Sequence, residues 1–421
     1  MGSVDLEQTP PPRLLKDGNF RRFWAAQSIS VFGSYISAVA VPLVAVIALD
    51  ATAVQMGLLT MFARLPYLLF LFAGAWVDRM RRRPVLIVSD LVNAALLGTV
   101  PLMFWGGSLS LPWLYFVMFG VGVGFVFYEV AYAAFVPRLV PSAHRAEANA
   151  KLQLSESVAQ VGGPGLAGLL VARIAAPFVV ALDAVSYLVS AVLNIFVKVE
   201  EPPPPPPSQR PNVFISIWQG LKWLWTQPML RPLTLAAAFY MLCYTAIQAL
   251  YFLFAIDELG LSRTLVGVVV AIGGPGAILG AWLSDRVMTW MGPGRALLWM
   301  AAIGNGSLLL VALAVRPVWL AAGMLALSQV LVGFTTQVYM VSMITLRQAV
   351  APQDMQGRVA ATHRAVGLGL APVGALAGGL LADAVGLRPT LLIAAIGVLI
   401  PVLLLVFSPV PSLREIPPDI D

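Results

Sequence analysis

The sequence predicts an all-α membrane protein in which twelve transmembrane helices form two pseudo-symmetric six-helix bundles. Three observations predict this fold. The 421-residue chain is 59% hydrophobic and only 11% charged, whereas ordinary globular domains are about 25% charged. Apolar stretches long enough to cross a bilayer, which needs about 20 residues, recur along the chain. Finally, two motifs return in the same order in its second half.

The repeated motifs divide the chain into two equivalent halves. The first, Gly74-Ala-Trp-Val-Asp78-Arg79, returns as Gly280-Ala-Trp-Leu-Ser-Asp285-Arg286, roughly 200 residues further on. The second is the pair of proline–glycine segments 163–168 and 371–379. Two apolar halves that carry the same motifs are typical of a duplicated secondary transporter.

Each half contains six predicted spans. They cover 23–49, 54–77, 84–106, 112–136, 150–172, 176–197, 231–255, 264–288, 295–315, 317–345, 359–382 and 388–408. We therefore expect a cytoplasmic N-terminal segment, a first bundle, a cytoplasmic linker, a second bundle and a cytoplasmic C-terminal tail, at 1–22, 23–199, 200–230, 231–408 and 409–421. The linker opens with a stiff proline run and continues as an amphipathic segment.

The basic residues predict the orientation. Lys and Arg concentrate in cytoplasmic loops, and the net charge of +6 reflects that bias rather than a nucleic-acid surface. With the N-terminus inside, the outer side receives only Arg173, Arg263, Arg316 and Arg388. Both termini are thus predicted to be cytoplasmic, in a multi-pass protein of the bacterial inner (plasma) membrane.

Residue types also exclude several functions. The single Cys243 excludes an internal disulfide and a cysteine-based metal cluster. His144 and His363 do not form a metal-ligand pair, and the chain has no Gly-rich phosphate-binding loop with Lys and Ser/Thr. We expect no enzyme activity, no metal and no cofactor. Without a nucleotide-binding loop, an ion gradient remains as the energy source for transport.

Several stretches beyond these repeats carry a family resemblance. They include 14–24, Ala63-Arg64-Leu-Pro66, Ser89-Asp90-Leu, Asp183-Ala-Val-Ser186 and Gly357-Arg358-Val. The chain resembles the major facilitator superfamily over residues 14–408, and within it the drug and siderophore exporters, such as the enterobactin exporter and macrolide efflux pumps. It departs from that pattern at Arg81, where the loop motif usually has a second glycine. The resemblance implies the major facilitator fold, a monomer, and a central cavity lined by the first, fourth, seventh and tenth helices.

A cytoplasmic gate is expected around the loop motif. Asp78 ends the second helix, where the helix dipole disfavours an acid, so it should have a specific partner. In the resembling family this aspartate grips the start of the eleventh helix. We expect two crossed latches, Asp78 with Arg358 or Arg364, and Glu156 with Arg286; the alternative is that these are interfacial charges solvated by headgroups. The other candidate gate residues are Gly74, Arg79, Arg82, Arg83 and Asp285.

Ionisable residues within the spans are candidates for proton coupling, because charges in hydrocarbon are costly. The candidates are Glu129, Arg64, Asp183 and Asp90. Glu129 has apolar and aromatic neighbours, which disfavour its charged form and suit it to carry a proton. The alternative for Arg64 is a fixed counter-charge to Asp90 or Glu129.

Polar stripes at helical spacing predict a substrate cavity. The candidates are Gln27 and Ser34 on the first helix, Tyr240, Tyr244 and Gln248 on the seventh, and Thr335 and Tyr339 on the tenth. Such a lining suits a bulky amphipathic molecule. Alternatively, the hydroxyl groups bond to their own helix or to a neighbouring one, which is the more common arrangement for a single Ser or Thr.

The predicted function is export of a drug, siderophore or secondary metabolite by proton antiport, as two bundles expose a shared site to either side of the bilayer in turn. The partners are a small molecule, a proton and the bilayer. Alternatives on the same scaffold are a lysophospholipid or lipid flippase and an uptake permease. A membrane-embedded enzyme is a further alternative, but the sequence offers no catalytic constellation.

Overall fold

The computed structural model describes residues 14–77, 79–141, 144–199, 201, 213–350 and 356–413. These residues form twelve long helical units, labelled α1 to α12, and a short linker helix, Val213–Thr226. The units are α1 Gly18–Ala48, α2 53–77, α3 Arg82–Trp105, α4 Leu111–Leu139, α5 Arg145–Val171, α6 Ala176–Ile195, α7 Leu230–Glu258, α8 Arg263–Met291, α9 Pro293–Ala312, α10 Val318–Val350, α11 356–385 and α12 Leu387–Val406. The expected all-helical membrane fold is confirmed.

Ten of the described units are long and apolar enough to span a membrane. The two others are α2, which is interrupted, and α5, whose first turns are polar and charged. Large apolar side chains face outward along the helices, including Val88, Leu102 and Val185, each more than half exposed. Outward-facing apolar side chains are expected where lipid, not water, surrounds the protein.

Local sequence explains where several helices begin. Before α1, the Asp17 carboxylate accepts a hydrogen bond from the backbone N–H of Asn19 at 2.8 Å. Before α2, Thr52 and Gln55 exchange side chain–backbone hydrogen bonds in a capping box. Ser262 caps α8 through the backbone N–H of Leu265. Each cap satisfies backbone donors that the first helical turn leaves without partners.

The α2 helix is bent where it passes α4. Regular helix over Ala53–Arg64 gives way to a 3₁₀ segment, Leu65–Leu69, and then to Phe70–Val77. Pro66 lies in the 3₁₀ segment and cannot donate a backbone hydrogen bond. It packs against Gly122 of α4, where an added Cβ would lie 2.9 Å from the proline Cγ. The missing side chain at Gly122 lets the bend approach α4.

The α11 helix has a matching interruption where it crosses α7. Its two segments meet at Leu370, and Pro372 follows at the second position of the later segment. The Thr245 hydroxyl of α7 lies 2.8 Å from the Ala371 carbonyl oxygen and donates to it. Gly374 packs directly on the α7 backbone, since an added Cβ would collide with the Leu242 carbonyl. The interruption therefore fixes α11 closely against α7.

Helices α1–α6 and α7–α12 form two halves, and the first and last described residues, Leu14 and Leu413, lie at the same end of the molecule. We call the end that carries Leu14, Glu201 and Ser412 the termini side, and the opposite end the far side. On the far side, one apolar core is built from both halves and includes Leu43 and Val44 of α1 and Leu250 of α7. On the termini side, each half has its own core. The halves thus share a core on the far side, whereas on the termini side they have separate cores and meet where α11 packs against the second part of α2.

Two glycine pairs bring the halves together within the far-side core. Gly57 of α2 faces Gly379 of α11, and an added Cβ on Gly57 would lie 2.9 Å from the Gly379 Cα. Gly168 of α5 faces Gly267 of α8, where the corresponding distance is 2.7 Å. Only glycine permits such close backbone approach between helices. The two crossings occupy equivalent places in the duplicated fold.

Candidate transport site between the halves

Side chains from α2, α4, α7 and α11 meet at the seam between the halves. Arg64 is the last residue of the first α2 segment, at the bend next to Pro66. Its guanidinium Nη1 donates to the Tyr67 hydroxyl at 2.9 Å, and its Nη2 donates to Gln248 Oε1 of α7 at 3.4 Å. The guanidinium carbon also lies 5.3 Å from the centre of the Tyr67 ring. Arg64 therefore links the two halves through neutral groups.

The alternative that Arg64 is a fixed counter-charge to Asp90 or Glu129 is not observed in this structure. The Asp90 carboxylate is fully buried within the first half, where it accepts a hydrogen bond from Ser190 at 2.7 Å. Glu129 pairs with an arginine of α11. Asp90 lies between α3 and α6, where its Oδ2 accepts from the Ser190 hydroxyl and the Asn194 amide of α6, while its Oδ1 is buried without a partner among the described residues.

A small cavity opens beside Arg64. It has a volume of about 100 Å³ and is lined by both halves. Its lining residues are Arg64, Tyr67, Met241, Tyr244, Thr245, Gln248, Leu368 and Ala371. Tyr244 accepts a hydrogen bond from Gln248 at 3.2 Å and stacks on Tyr240 with ring centres 5.0 Å apart. The predicted cavity role of Tyr244 and Gln248 thus agrees with this geometry.

An ion pair crosses the seam on the termini side of this cavity. Glu129 of α4 and Arg364 of α11 approach to 3.8 Å, with 30% and 53% of their side chains exposed. The Arg364 guanidinium lies 5.3 Å from the centre of the Phe70 ring. Phe70 and Tyr67 both pack against Phe125 of α4. These aromatic side chains connect the ion pair to the Arg64 cavity.

The remaining carboxylate candidate, Asp183, lies inside the first half. It is 2% exposed, and its Oδ1 accepts a hydrogen bond from Ser186 at 3.1 Å. Gly33 of α1 leaves room for both side chains, because an added Cβ would collide with them. Asp183 and Asp90 thus belong to the buried packing of α1, α3 and α6, while Glu129 and Arg64 reach the seam.

Ser34 and Thr335 do not line the cavity. The Ser34 hydroxyl lies 2.9 Å from that of Tyr187 on α6. Thr335 is 3% exposed and donates to the Leu331 carbonyl of its own helix at 2.7 Å. The alternative that single hydroxyl groups bond within the bundle is the one observed at both positions. Both residues lie on helices, as predicted, but their hydroxyl groups face other residues of their own half and not the cavity.

Two other cavity candidates also contact their own halves. Gln27 Oε1 accepts a hydrogen bond from the Tyr128 hydroxyl at 2.7 Å, which ties α1 to α4. Tyr339 packs, partly buried, against the core of the second half on the termini side. A cavity role for Gln27 and Tyr339 stays a prediction.

The arginines after the loop motif are tied to the first half. Arg82 and Arg83 donate their backbone N–H groups to the Glu201 carboxylate at 2.6 and 2.8 Å. The Arg83 side chain also donates to the backbone carbonyls of Asn194 and Ile195 at the end of α6. A carboxylate at a helix N-terminus is stabilised by the helix dipole. Glu201 therefore joins the start of α3 to the chain that leaves α6.

The Glu156–Arg286 latch is not formed among the described residues. Glu156 accepts a hydrogen bond from Tyr35 at 3.4 Å, and Arg286 lies over the Trp282 ring. Asp78 and the side chain of Arg358 lie outside the described residues, so the latch with Asp78 stays a prediction. Arg364 is paired with Glu129. Arg79 and Asp285 are exposed, and Gly74 has open space around it.

Sequence reasoning missed Tyr67, Phe70, Phe125 and Glu201. Aromatic residues are abundant in apolar helices, so their spacing alone does not distinguish a site from lipid contact. The spacing from Arg64 could have indicated two of them, because Tyr67 and Phe70 follow Arg64 by about one and two helical turns and so lie on the same side of the helix. Glu201 lies in a proline-rich stretch and gave no sign of a role as a cap.

The fold and the seam define a membrane transporter rather than an enzyme. A duplicated helical bundle places a polar site between two halves that share an apolar core on one side. The chain belongs to the family described as transmembrane secretion effector, of the major facilitator superfamily, whose sequence pattern matches residues 11–418. The expected superfamily membership is confirmed.

Comparisons with individual proteins agree with this assignment. The chain is 28% identical to the multidrug efflux pump Tap of Mycolicibacterium fortuitum over 398 residues, which are 91% of this chain and 93% of that protein. It is 24% identical to macrolide efflux protein A of Streptococcus pyogenes over 265 residues, or 63% and 65% of the two chains.

Solved structures show the same fold. The nucleoside transporter NupG aligns with a TM-score of 0.71 at 10% identity, covering 92% of this chain and 98% of that one. A bacterial homologue of the iron transporter ferroportin, in an inward-facing state, aligns with a TM-score of 0.67 at 17% identity, covering 94% and 99%. At these identities the likeness concerns architecture alone.

Proposed function

We propose that this protein exports amphipathic small molecules from the cytoplasm by proton antiport, with α1–α12 all crossing the membrane and both termini inside. The observation that carries the proposal is the seam, where Arg64, the aromatic residues and the Glu129–Arg364 pair join both halves beside a cavity. The curated relatives with efflux in their names support the direction of transport.

Coupling is assigned to Glu129. Its carboxylate is the group at the seam whose charge a proton can remove, since arginine stays protonated in proteins. Proton binding neutralises Glu129 and ends its attraction for Arg364. The proton and the pairing across the seam then exclude one another, so the proton favours one state of the seam over the other. A ligand shifts a conformational equilibrium only through such a difference between states.

Substrate is assigned to the aromatic part of the same seam. Tyr67, Phe125, Tyr240 and Tyr244 offer ring faces, and Gln248 and Arg64 offer polar contacts. Stacking tolerates many planar shapes, while a few polar groups fix the orientation. Drugs and secondary metabolites with a planar or ring-rich body fit this description.

The test is efflux in everted membrane vesicles with an imposed pH gradient. Wild-type vesicles should accumulate a macrolide or a planar amphipathic dye when the lumen is acidified. Glu129→Gln should reduce this accumulation to the level of vesicles without the protein, yet retain binding of the same compound. Glu147→Gln is the matched control, because Glu147 is exposed and pairs locally with Lys151; it should transport normally.

Three outcomes would contradict the proposal. Proton-driven accumulation that survives in Glu129→Gln would remove the coupling role of this carboxylate. Movement of labelled lysophospholipid that is insensitive to uncouplers would indicate a flippase. Accumulation in right-side-out rather than everted vesicles would indicate uptake.

A further inference from the structure

Arg64 is a cation at the seam that lacks a carboxylate partner among the described residues. Its contacts are the Tyr67 hydroxyl, the Tyr67 ring and Gln248 Oε1, all of them neutral. The nearby acids have other partners, since Glu129 pairs with Arg364 and Asp90 accepts from Ser190. A buried or half-buried charge that is compensated only by dipoles attracts an opposite charge strongly.

We propose that Arg64 binds an anionic group of the transported compound, and thus serves substrate recognition rather than proton coupling. The inference rests on the export function proposed above and specifies the chemistry of its substrate. The group would be a carboxylate, phenolate or enolate, joined to a planar or ring-rich body. A guanidinium presents paired N–H donors that match a carboxylate with two parallel hydrogen bonds.

The size of the cavity supports binding of a head group. Its volume is about 100 Å³, whereas pockets that enclose a drug-sized ligand measure about 300–1,000 Å³. It therefore has room for a charged group of a few atoms but not for the body attached to it. Tyr244 lines the cavity and stacks on Tyr240, which offers ring faces to that body.

Both halves contribute to this binding site, and this gives the anion an effect on conformation. Arg64 belongs to α2, whereas Gln248 and Tyr244 belong to α7 and Leu368 to α11. An anion that takes the Arg64 donors replaces the hydrogen bond from Arg64 to Gln248 across the seam. Substrate binding thus alters a contact between the halves, as alternating access requires.

The experiment compares a fluorescent xanthene dye that bears a free carboxylate with its methyl ester. Binding of each dye to the purified full chain in phosphatidylcholine nanodiscs is measured by fluorescence polarisation. The wild type should bind the acid about tenfold or more tightly than the ester, because a charge-assisted hydrogen bond is lost with the ester. Equal affinities, or no binding of the acid, would overturn the proposal.

Two variants test whether Arg64 causes the preference. Arg64→Gln should bind both dyes equally. Gln248→Glu places a carboxylate beside the guanidinium with almost no change in shape, and it should abolish the acid preference by lowering the affinity for the acid more than the affinity for the ester. Arg263→Gln is the matched control, as Arg263 is exposed at the far-side start of α8. A preference for the acid that survives in Gln248→Glu or in folded Arg64→Gln would contradict the assignment.

A lipid phosphate has the same charge, so the membrane composition forms a second arm. In nanodiscs that contain phosphatidylglycerol, the acid preference should persist. Its loss there would assign Arg64 to a lipid headgroup and overturn substrate recognition. Macrolide efflux in vesicles is measured separately. Intact efflux without an acid preference would refute this inference alone, whereas absent efflux in the wild type would refute the proposed function.

Discussion

The far side and the termini side of the seam differ in what joins the two halves. On the far side, glycines of α2 and α5 contact glycines of α11 and α8 within one apolar core. On the termini side, each half keeps a separate core, and the Glu129–Arg364 pair bridges them. Backbone packing is short-ranged and depends on fit, whereas an ion pair acts over a longer distance and responds to protonation.

Because of this difference, the two sides are suited to different roles in transport. The far side must either close with its full contact area or open, because tightly packed surfaces do not deform gradually. The termini side can respond to ligand and proton while the far side stays closed. A transporter that avoids leakage needs one tight seal while the other side is accessible, and the shared far-side core is suited to be such a seal.

The largest effect is expected from breaking the far-side seal. Gly168→Val or Gly379→Val places a side chain where an added Cβ already lies within 3.1 Å of the partner helix backbone. The halves should then fail to close on the far side, and efflux should fall to background. A Leu250→Cys reporter in a Cys243→Ser background, buried in the wild type, should become reactive to an impermeant maleimide added from the far side.

The control for this prediction is Gly98→Val. Gly98 lies in α3 with no atom within 4 Å of an added Cβ, so the same substitution should leave efflux and labelling unchanged. Protection of the Leu250→Cys reporter in both glycine variants would show that the crossings do not seal the far side.

A smaller effect should distinguish the two copies of the repeated motif. At Gly280, an added Cβ would lie 2.3 Å from the Phe334 carbonyl oxygen of α10, whereas at Gly74 it would meet no atom within 4 Å. Gly280→Ala should therefore destabilise the protein by about 1–3 kcal/mol through overpacking, and Gly74→Ala should be neutral. Thermal unfolding in detergent measures both. Equal stability losses would mean that the two copies have the same packing role.

The smallest effect is expected from weakening the contact between Glu201 and the start of α3, on the termini side of the first half. Glu201→Gln weakens the acceptor for the backbone N–H groups of Arg82 and Arg83. Loss of a helix N-terminal cap costs about 0.5–2 kcal/mol, so the unfolding temperature should fall slightly while efflux persists. Abolished efflux with an unchanged unfolding temperature would instead give Glu201 a role in transport.

The sequence predicted the order of helices and the duplication, because both depend on local composition and on periodicity. It also singled out Glu129 among the ionisable residues of the spans, and the structure places this side chain at the seam. It did not predict the partner of Arg64, since Gln248 is 184 residues away in the chain. Helical periodicity shows which residues share a face but not which neighbour that face meets. For Ser34, the face turned toward Tyr187 and not toward the cavity.

The repeated motif does not have the same surroundings in both halves. Gly280 is enclosed by α10, while Gly74 is open. The alternative that Arg64 is a counter-charge to Asp90 or Glu129 is not observed, because the bend at Pro66 directs Arg64 toward α7. Irregular backbone segments determine the direction in which a helix continues. A sequence motif does not show the angle of such a bend.

The shared apolar core has a consequence for how the chain can be divided. A polypeptide that ended after α6 would contain only the first-half members of this core, without the second-half residues that complete it. Such a fragment and its complement should each be insoluble in mild detergent when produced alone. Produced together from two genes, they should recover one another as a complex, because the surface that each lacks is supplied by the other.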